Sequence, residues 1–490
     1  MNYRAAYELG VKLALQEKIG ELNTELQPHQ QRVVDRLHHQ DGLLAIHGLG
    51  SGKTLTSLAV ADDQGLPATA VVPAALQGNY RKEMQKHFEP GTAPSIDVAS
   101  MQGTAVRRKP VETGTLIVDE AHRLRDHSSL GAKILGKSEA EKRLLMTATP
   151  FYNHPSDISV PLNIAAGKNL LPADPQEFER RYIQRDFVNP TLGQRLFNGI
   201  GPGEVAHINP NRREELARTF GQWIDYHPNV EGDPNFPRTT EQTINVDMTP
   251  QQLEVYDGLL SKSPPWVQAK IRAGLPPSKQ ESKQLNAFLA AARQIANTTR
   301  PYAPNMAPQE PKITRAVADL QELINKNDQA KAVVYSNYLD AGLNPYAEHL
   351  AKAHIPYGMI TGQLSAAQKA AIVDQYNSNK IKALLISSAG GEGIDLKGTR
   401  MMQLLDPSWN EARGAQVEGR GVRFMSHADL PEDQREVNIR RYIAQRPQTF
   451  FDELGVSSRG GSVDEYLTML AKQKQDLIDE FNGLMPKESV

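Results

Sequence analysis

The 490-residue chain contains no cysteine. Disulfides, a thiolate nucleophile and cysteine-ligated zinc are thereby excluded, and a reducing compartment is expected. Its 13 histidines show no paired metal-ligand spacing. No window approaches the roughly 18 consecutive apolar residues that a membrane-spanning helix needs. The opening MNYRAAYELGVKLALQEK carries Arg4, Glu8, Lys12 and Glu17 where a secretory apolar stretch would sit. Membrane and secretion readings fall away, and a cytoplasmic or nucleoid-associated location is expected. An excess of one charge is missing too: Lys+Arg 55 against Asp+Glu 57 leaves a formal charge of -2. Any nucleic-acid footprint must therefore be a local groove rather than a global basic field. With 39% hydrophobic and 23% charged residues, and Gly 36 and Pro 32 spread along the chain, collagen, coiled coil and wholesale disorder are excluded.

What is present is a run of short apolar segments: GLLAIHG (42–48), ATAVVPA (68–74), TLIVDEAH (115–122) and RLLMTAT (143–149), separated by stretches long enough for helical crossovers. Buried parallel strands read this way, so the chain is α/β. A second set follows in KAVVYSN (331–337), YGMITG (357–362), KALLISS (382–388) and MMQLLDP (401–407). The polar stretch 172–240, rich in Pro, Gly and Asn, reads as an insertion or a domain edge. Helices are expected over 4–20, 250–260, 279–297 and 463–483, the last capped by Ser462 and Asp464. The resulting organisation is an N-terminal extension (1–24), a first α/β domain (25–240), a helical insertion and linker (241–312), a second α/β domain (313–455) and a C-terminal helix (456–490).

The segment AIHGLGSGKT (45–54) runs from a strand into a helix. Its glycines let backbone N–H groups close on phosphate oxygens. Lys53 reaches the β/γ-phosphates of a nucleotide, and Thr54 offers its hydroxyl to Mg²⁺. This is a P-loop of the shorter form centred on Gly50, Ser51, Gly52, Lys53 and Thr54, because His47 stands where the eight-residue pattern has its first glycine. Further on, LIVDEAH places Asp119 and Glu120 at the end of an apolar strand. A hard divalent cation takes oxygen ligands, so Asp119 suits Mg²⁺, while Glu120 can polarise the water that attacks the γ-phosphate.

With RLLMTATP (143–150) as a third motif in the right order, the sequence resembles helicase superfamily 2, and within it the Swi/Snf-type ATPases. The resemblance extends through LQPHQQRVVDRL (26–37), VVPAALQGNYRKEMQKH (71–87), AVVYSNYLDA (332–341), LISSAGGEGIDL (385–396) and LLDPSWNEARGAQVEGRGVR (404–423). It implies two tandem RecA-like parallel-sheet domains with helical insertions and a C-terminal bracing helix. The implied activity is a DNA-dependent ATPase that uses ATP and Mg²⁺ and moves on duplex DNA without strand separation. A strand-separating helicase and a nucleotide-gated clamp that never translocates are the competing readings. Protein partners would dock through the insertions or the N-terminal helix.

The resemblance also assigns residues. Gln30 would contact adenine, Gly391 and Asp395 would complete the nucleotide site, and His122, Thr147, Thr149 and Gln416 would couple hydrolysis to movement. Ser100, Ser336 and Ser388 would touch DNA. Arg180, Arg181 and Arg185, interleaved with Phe178, Tyr182 and Phe187, have the composition of a phosphate-contacting, base-stacking patch. Arg420 and Arg423 lie three residues apart, so on a helix or tight turn their guanidinium groups point one way. Fixed, always-ionised forks suit the charge spreading over γ-phosphate oxygens. Arg420→Ala and Arg423→Ala should each leave nucleotide affinity within a few-fold and lower hydrolysis by about two orders of magnitude. Phosphate release with and without DNA measures this, and DNA-stimulated hydrolysis surviving in both variants would refute the assignment.

Overall fold

Most of the apolar runs became buried strands because both faces of a parallel sheet are covered by helices. In the computed structural model the described residues are 22–190, 202–228, 237–387, 394, 396–407, 426–427, 429–447 and 461–486. The chain divides into two compact units. One takes the described residues up to Gln184, those within Ile208–Glu231 and those from Leu477; the other takes those within Arg185–His207 and Gly232–Asp476.

The first unit is built on β1 (Gly42–His47), β2 (Ala68–Val72), β3 (Ile96–Ser100), β4 (Glu112–Val118) and β5 (Glu139–Thr147). Next along the chain is a two-stranded ribbon of β6 (Ile183–Val188) and β7 (Gly203–Ile208), most of which clusters with the second unit, and β8 (Ile224–His227) then joins the first sheet beside β1. The strand order is β3-β2-β4-β5-β1-β8 and every pair is parallel. All six residues of β1 are buried. The helices Pro28–His39 and Lys53–Gln64 cover one face through Val33, Val34, Leu37, Leu58 and Val60. On the other, a Cβ at Gly42 would run into the carbonyl oxygen of Ala165, so only glycine lets β1 approach the helix Ser159–Ala166 this closely.

The second unit carries β9 (Arg238–Asp247), β10 (Ala332–Ser336), β11 (Tyr357–Ile360), β12 (Ala383–Ser387), β13 (Met401–Leu404) and β14 (Glu436–Gln445), again all parallel, in the order β11-β12-β10-β13-β14-β9. Helices Pro250–Leu260 and Lys279–Asn297 share a separate core with Val463, Tyr466 and Leu467 from the helix Val463–Asn482. Buried Lys312 pairs with Asp464 at 2.8 Å in this unit. The α/β expectation of two tandem RecA-like parallel-sheet domains holds. The eight strands anticipated from apolar runs are present; β3, β8, β9, β14 and the ribbon were not among them. The stretch 172–240, read as an insertion or a domain edge, supplies β8 to the first sheet, while Arg185–His207 clusters with the second unit. The expected helix over 4–20 lies outside the described residues.

In an all-parallel sheet, ligands sit beyond the carboxyl ends of the strands. Here β1 ends at His47, β4 at Val118 and β5 at Thr147, with Ile46 opposite Thr147 and Val118 opposite Leu145. The three motifs therefore share one edge of the first unit.

Candidate active site

The glycine-rich turn leaves β1 and enters the helix Lys53–Gln64 through two left-handed residues, Gly50 and Gly52, each at φ 76°. Side chains rarely adopt that conformation, and a Cβ on Gly52 would also collide with the amide nitrogen of Gln30. The helix begins at Lys53, so its first free N–H groups and the positive end of its dipole point at the loop. Lys53 Nζ donates to the carbonyl oxygens of His47 at 3.0 Å and Gly48 at 2.8 Å, which holds the ammonium over the loop.

At the end of β4, Asp119 is buried and accepts the backbone N–H of Glu120 at 2.9 Å. Burial, reinforced by the adjacent Glu120 charge and opposed by Lys53, raises its carboxyl to about 6. For Glu120 burial acts in the same upward direction, yet the hydrogen bond and charge of His122, with Lys53 and Arg123, outweigh it and hold the carboxyl below its ordinary value. Glu120 also sits in the left-handed region, φ 52° and ψ 46°, an uncommon conformation for a residue with a side chain. Two neighbouring carboxylates thus differ in proton affinity, the usual basis for dividing two roles between them.

His122 Nδ1 lies 3.2 Å from Glu120 Oε2 and 3.1 Å from Thr147 Oγ1, and Thr147 Oγ1 accepts the Thr149 N–H at 3.1 Å. Three of the four residues expected to couple the motifs, His122, Thr147 and Thr149, are therefore joined to the acidic pair by a chain of direct contacts. Tyr152, which sequence reasoning passed over, stacks on His122 at 5.9 Å and lies under the Arg125 guanidinium at 4.3 Å. An aromatic three residues after the TAT motif was the available signal.

Thr54 and Asp119 fit Mg²⁺ by their chemistry. Among the described residues no group of three or more His, Cys, Asp or Glu could hold a metal ion by itself. Magnesium bound with a nucleotide needs only one or two protein oxygens, the remainder coming from phosphates and water. The Thr54 hydroxyl and the buried Asp119 carboxylate would supply that set.

Other expected residues are placed differently. The Gln30 amide donates to Ser51 O at 3.1 Å and Gly52 O at 3.4 Å, and its carbonyl accepts from Gln27 N at 2.9 Å, so the side chain braces the loop. Ser336 does not offer a DNA-facing hydroxyl. It is fully buried, donates to Asp406 Oδ2 at 2.7 Å and accepts the Tyr338 N–H, because the end of β10 turns inward onto the strand-end carboxylate. Ser100 caps the helix Met101–Arg107 by accepting Gly103 N at 2.8 Å. Phe178 and Tyr182 are fully buried and cannot stack on bases. Arg181 pairs with Glu215 at 2.7 Å, Arg185 lies 3.8 Å from Glu204, and Arg180 is exposed. Ser388, Gly391, Asp395, Gln416, Arg420 and Arg423 lie outside the described residues.

Residues 105–300 match the family described as SNF2-related domain, and residues 315–425 match the helicase conserved C-terminal domain. The chain belongs to the SNF2-related branch of helicase superfamily 2. As a member it is a helicase-like ATP hydrolase. The chain is 28% identical to a putative ATP-dependent RNA helicase of Acanthamoeba polyphaga mimivirus, over 95% of this chain and 97% of that one. It is 23% identical to a termination factor NPH-I homolog of African swine fever virus, over 92% of this chain and 76% of the relative. Among solved structures, the Sulfolobus solfataricus SWI2/SNF2 ATPase core in complex with dsDNA matches 96% of this chain and 98% of its own, with 16% identity and a TM-score of 0.37. The loop 48–54, Asp119–Glu120 and Thr147–Thr149 are all carried by the first unit. No described helix is long and apolar enough to cross a membrane.

Proposed function

We propose that this chain is an ATP-driven motor that moves along duplex DNA without separating the strands. The observation that carries the motor reading is the chain of contacts from Glu120 through His122 to Thr147 and Thr149, since it makes the third motif respond to whatever happens at the γ-phosphate. Lys53 and the loop N–H groups bind the phosphates, and Glu120 orients and deprotonates the attacking water. Thr54 and Asp119 would hold Mg²⁺, which supplies charge neutralisation at the β- and γ-oxygens. Asp119 orders Glu120 by accepting its N–H. Arg420 and Arg423 are proposed to stabilise the transition-state charge, and Gly391 and Asp395 to contribute to nucleotide binding.

The mimivirus relative is named an RNA helicase, whereas a 23% identical relative of Drosophila mojavensis is named a RAD54-like DNA repair and recombination protein. ATP hydrolysis measured with no nucleic acid, single-stranded DNA, duplex DNA and RNA separates the substrates, and duplex DNA should stimulate most. Triplex displacement should occur with little strand separation on a forked duplex. Robust unwinding would move the protein to the strand-separating helicases; ATP hydrolysis without triplex displacement would favour a clamp.

A further inference from the structure

His47 occupies the P-loop position where the eight-residue pattern has glycine, and its side chain makes a connection that glycine cannot make. The ring is fully buried, and its Nε2 lies 2.7 Å from Oδ1 of Asp225 on β8. A carboxylate only accepts, so Nε2 carries the proton, and Nδ1 is left as a buried acceptor with no hydrogen-bond partner. Burial keeps the His47 ring below its ordinary proton affinity despite the carboxylate beside it.

Asp225 has a second set of partners. Arg32 forks onto it, Nε to Oδ2 at 2.8 Å and a terminal nitrogen to Oδ1 at 2.9 Å, and Arg36 approaches Oδ2 at 3.5 Å while donating to Ile224 O at 2.6 Å. Burial disfavours the Asp225 charge, but the His47 and Arg32 hydrogen bonds more than offset this, and the carboxyl lies well below its usual range. Both arginines belong to the helix Pro28–His39, which also carries His29 and Gln30. Those two hold the far side of the P-loop: His29 Nε2 donates to Ser51 O at 2.8 Å and Gln30 to Ser51 O and Gly52 O. The frame is closed by the His29 and His227 rings, stacked at 3.9 Å and 2°, and by the Gly48 N–H donating to His227 O at 2.8 Å.

We propose that Asp225 is a positioning residue for the nucleotide site, setting the P-loop from below through His47 and from above through Arg32 and the helix that bears His29 and Gln30. The proposal rests on the assignment of 48–54 as the ATP-binding loop. It touches no substrate atom; it fixes where the loop carbonyls sit, and so how the loop N–H groups meet phosphate. A bidentate arginine and a buried histidine converging on one carboxylate give this connection more directional stiffness than single neutral hydrogen bonds would.

The test is a double-mutant cycle on the full chain, with ADP affinity from titration of a fluorescent analogue, steady-state ATP hydrolysis and thermal unfolding measured on each protein. Asp225→Asn keeps the shape and removes the charge; it should raise KM for ATP and Kd for ADP about tenfold, with a smaller factor in kcat. In a His47→Gly background, which restores the usual loop glycine, the same substitution should move KM by less than a factor of about three, because the lower connection is already gone. A lowered melting temperature with unchanged KM, or the same KM rise in both backgrounds, overturns the proposal. Should Asp225→Asn fail to fold, Arg32→Gln reads the upper connection and must raise KM; an unchanged KM there overturns it as well. Lys53→Ala serves as the control. If that protein still hydrolyses ATP, the loop assignment fails and takes the proposal with it, whereas an inactive Lys53→Ala beside an unaltered Asp225→Asn defeats the proposal alone.

Discussion

Glu120→Gln should bind ATP as tightly as the unaltered protein and hydrolyse it about a thousandfold more slowly, the contribution of a well-placed general base. The substitution keeps the length, the backbone demand and the capacity to accept a hydrogen bond from His122. It removes only the negative charge. The wild-type carboxyl is ionised at neutral pH because His122, Lys53 and Arg123 outweigh the effect of burial, so a proton acceptor is present where the water must be oriented. In the proposed site binding is made elsewhere, by the loop N–H groups and Lys53, which lie on a different strand end. Titration with a fluorescent ATP analogue and phosphate release in steady state separate the two effects. A variant turning over at near the wild-type rate would remove Glu120 from the chemistry.

Lys53→Ala has a different signature, because the ammonium acts in both the ground state and the transition state. KM for ATP should rise about tenfold and kcat should fall a further ~100-fold or more. The side chain reaches two loop carbonyls and its charge favours the ionised forms of both Asp119 and Glu120. Its loss leaves a buried pair of carboxylates with less opposing charge, so the proton affinity of Asp119 should climb further. Lys53→Arg discriminates charge from shape: a planar guanidinium cannot replace a compact ammonium that approaches two carbonyls within one turn, and it should recover little of the activity. Retained hydrolysis in Lys53→Ala would refute the P-loop assignment.

The amino-acid sequence by itself determined the strands that carry the loop 48–54, the Asp119–Glu120 pair and Thr147–Thr149. β1, β2 and the carboxyl-terminal halves of β4 and β5 in the first sheet, and β10, β12 and β13 in the second, are buried on both faces, so their composition is a continuous apolar run that needs no neighbour to be recognised. The glycine-rich loop 48–54 and the strand-end Asp119–Glu120 pair were legible for a related reason: each is a local feature, a glycine turn or a strand end, formed within a few residues. Strands at the margins were not legible in this way. β3 is only partly buried, β14 alternates, and β9 is polar through nearly its whole length and is a strand because it pairs with β14 over ten positions. Their conformation is imposed by a partner, not by composition.

The same distinction holds at the site. Ser336 reads as a surface hydroxyl after an apolar strand, and only the return of Asp406 from β13 shows that it is buried and engaged. Phe178 and Tyr182 read as stacking aromatics until the helix Pro175–Tyr182 places them four residues apart on its inner face. Asp225 lies in a stretch that reads as a polar insertion, 178 positions from the His47 it holds. Nothing local marks it, because its role exists only when β8 is laid against β1 and the helix Pro28–His39 is packed over both. A motif whose groups are neighbours in the chain is written in the sequence; a buried charge answered by three distant partners comes into being only when the sheet closes.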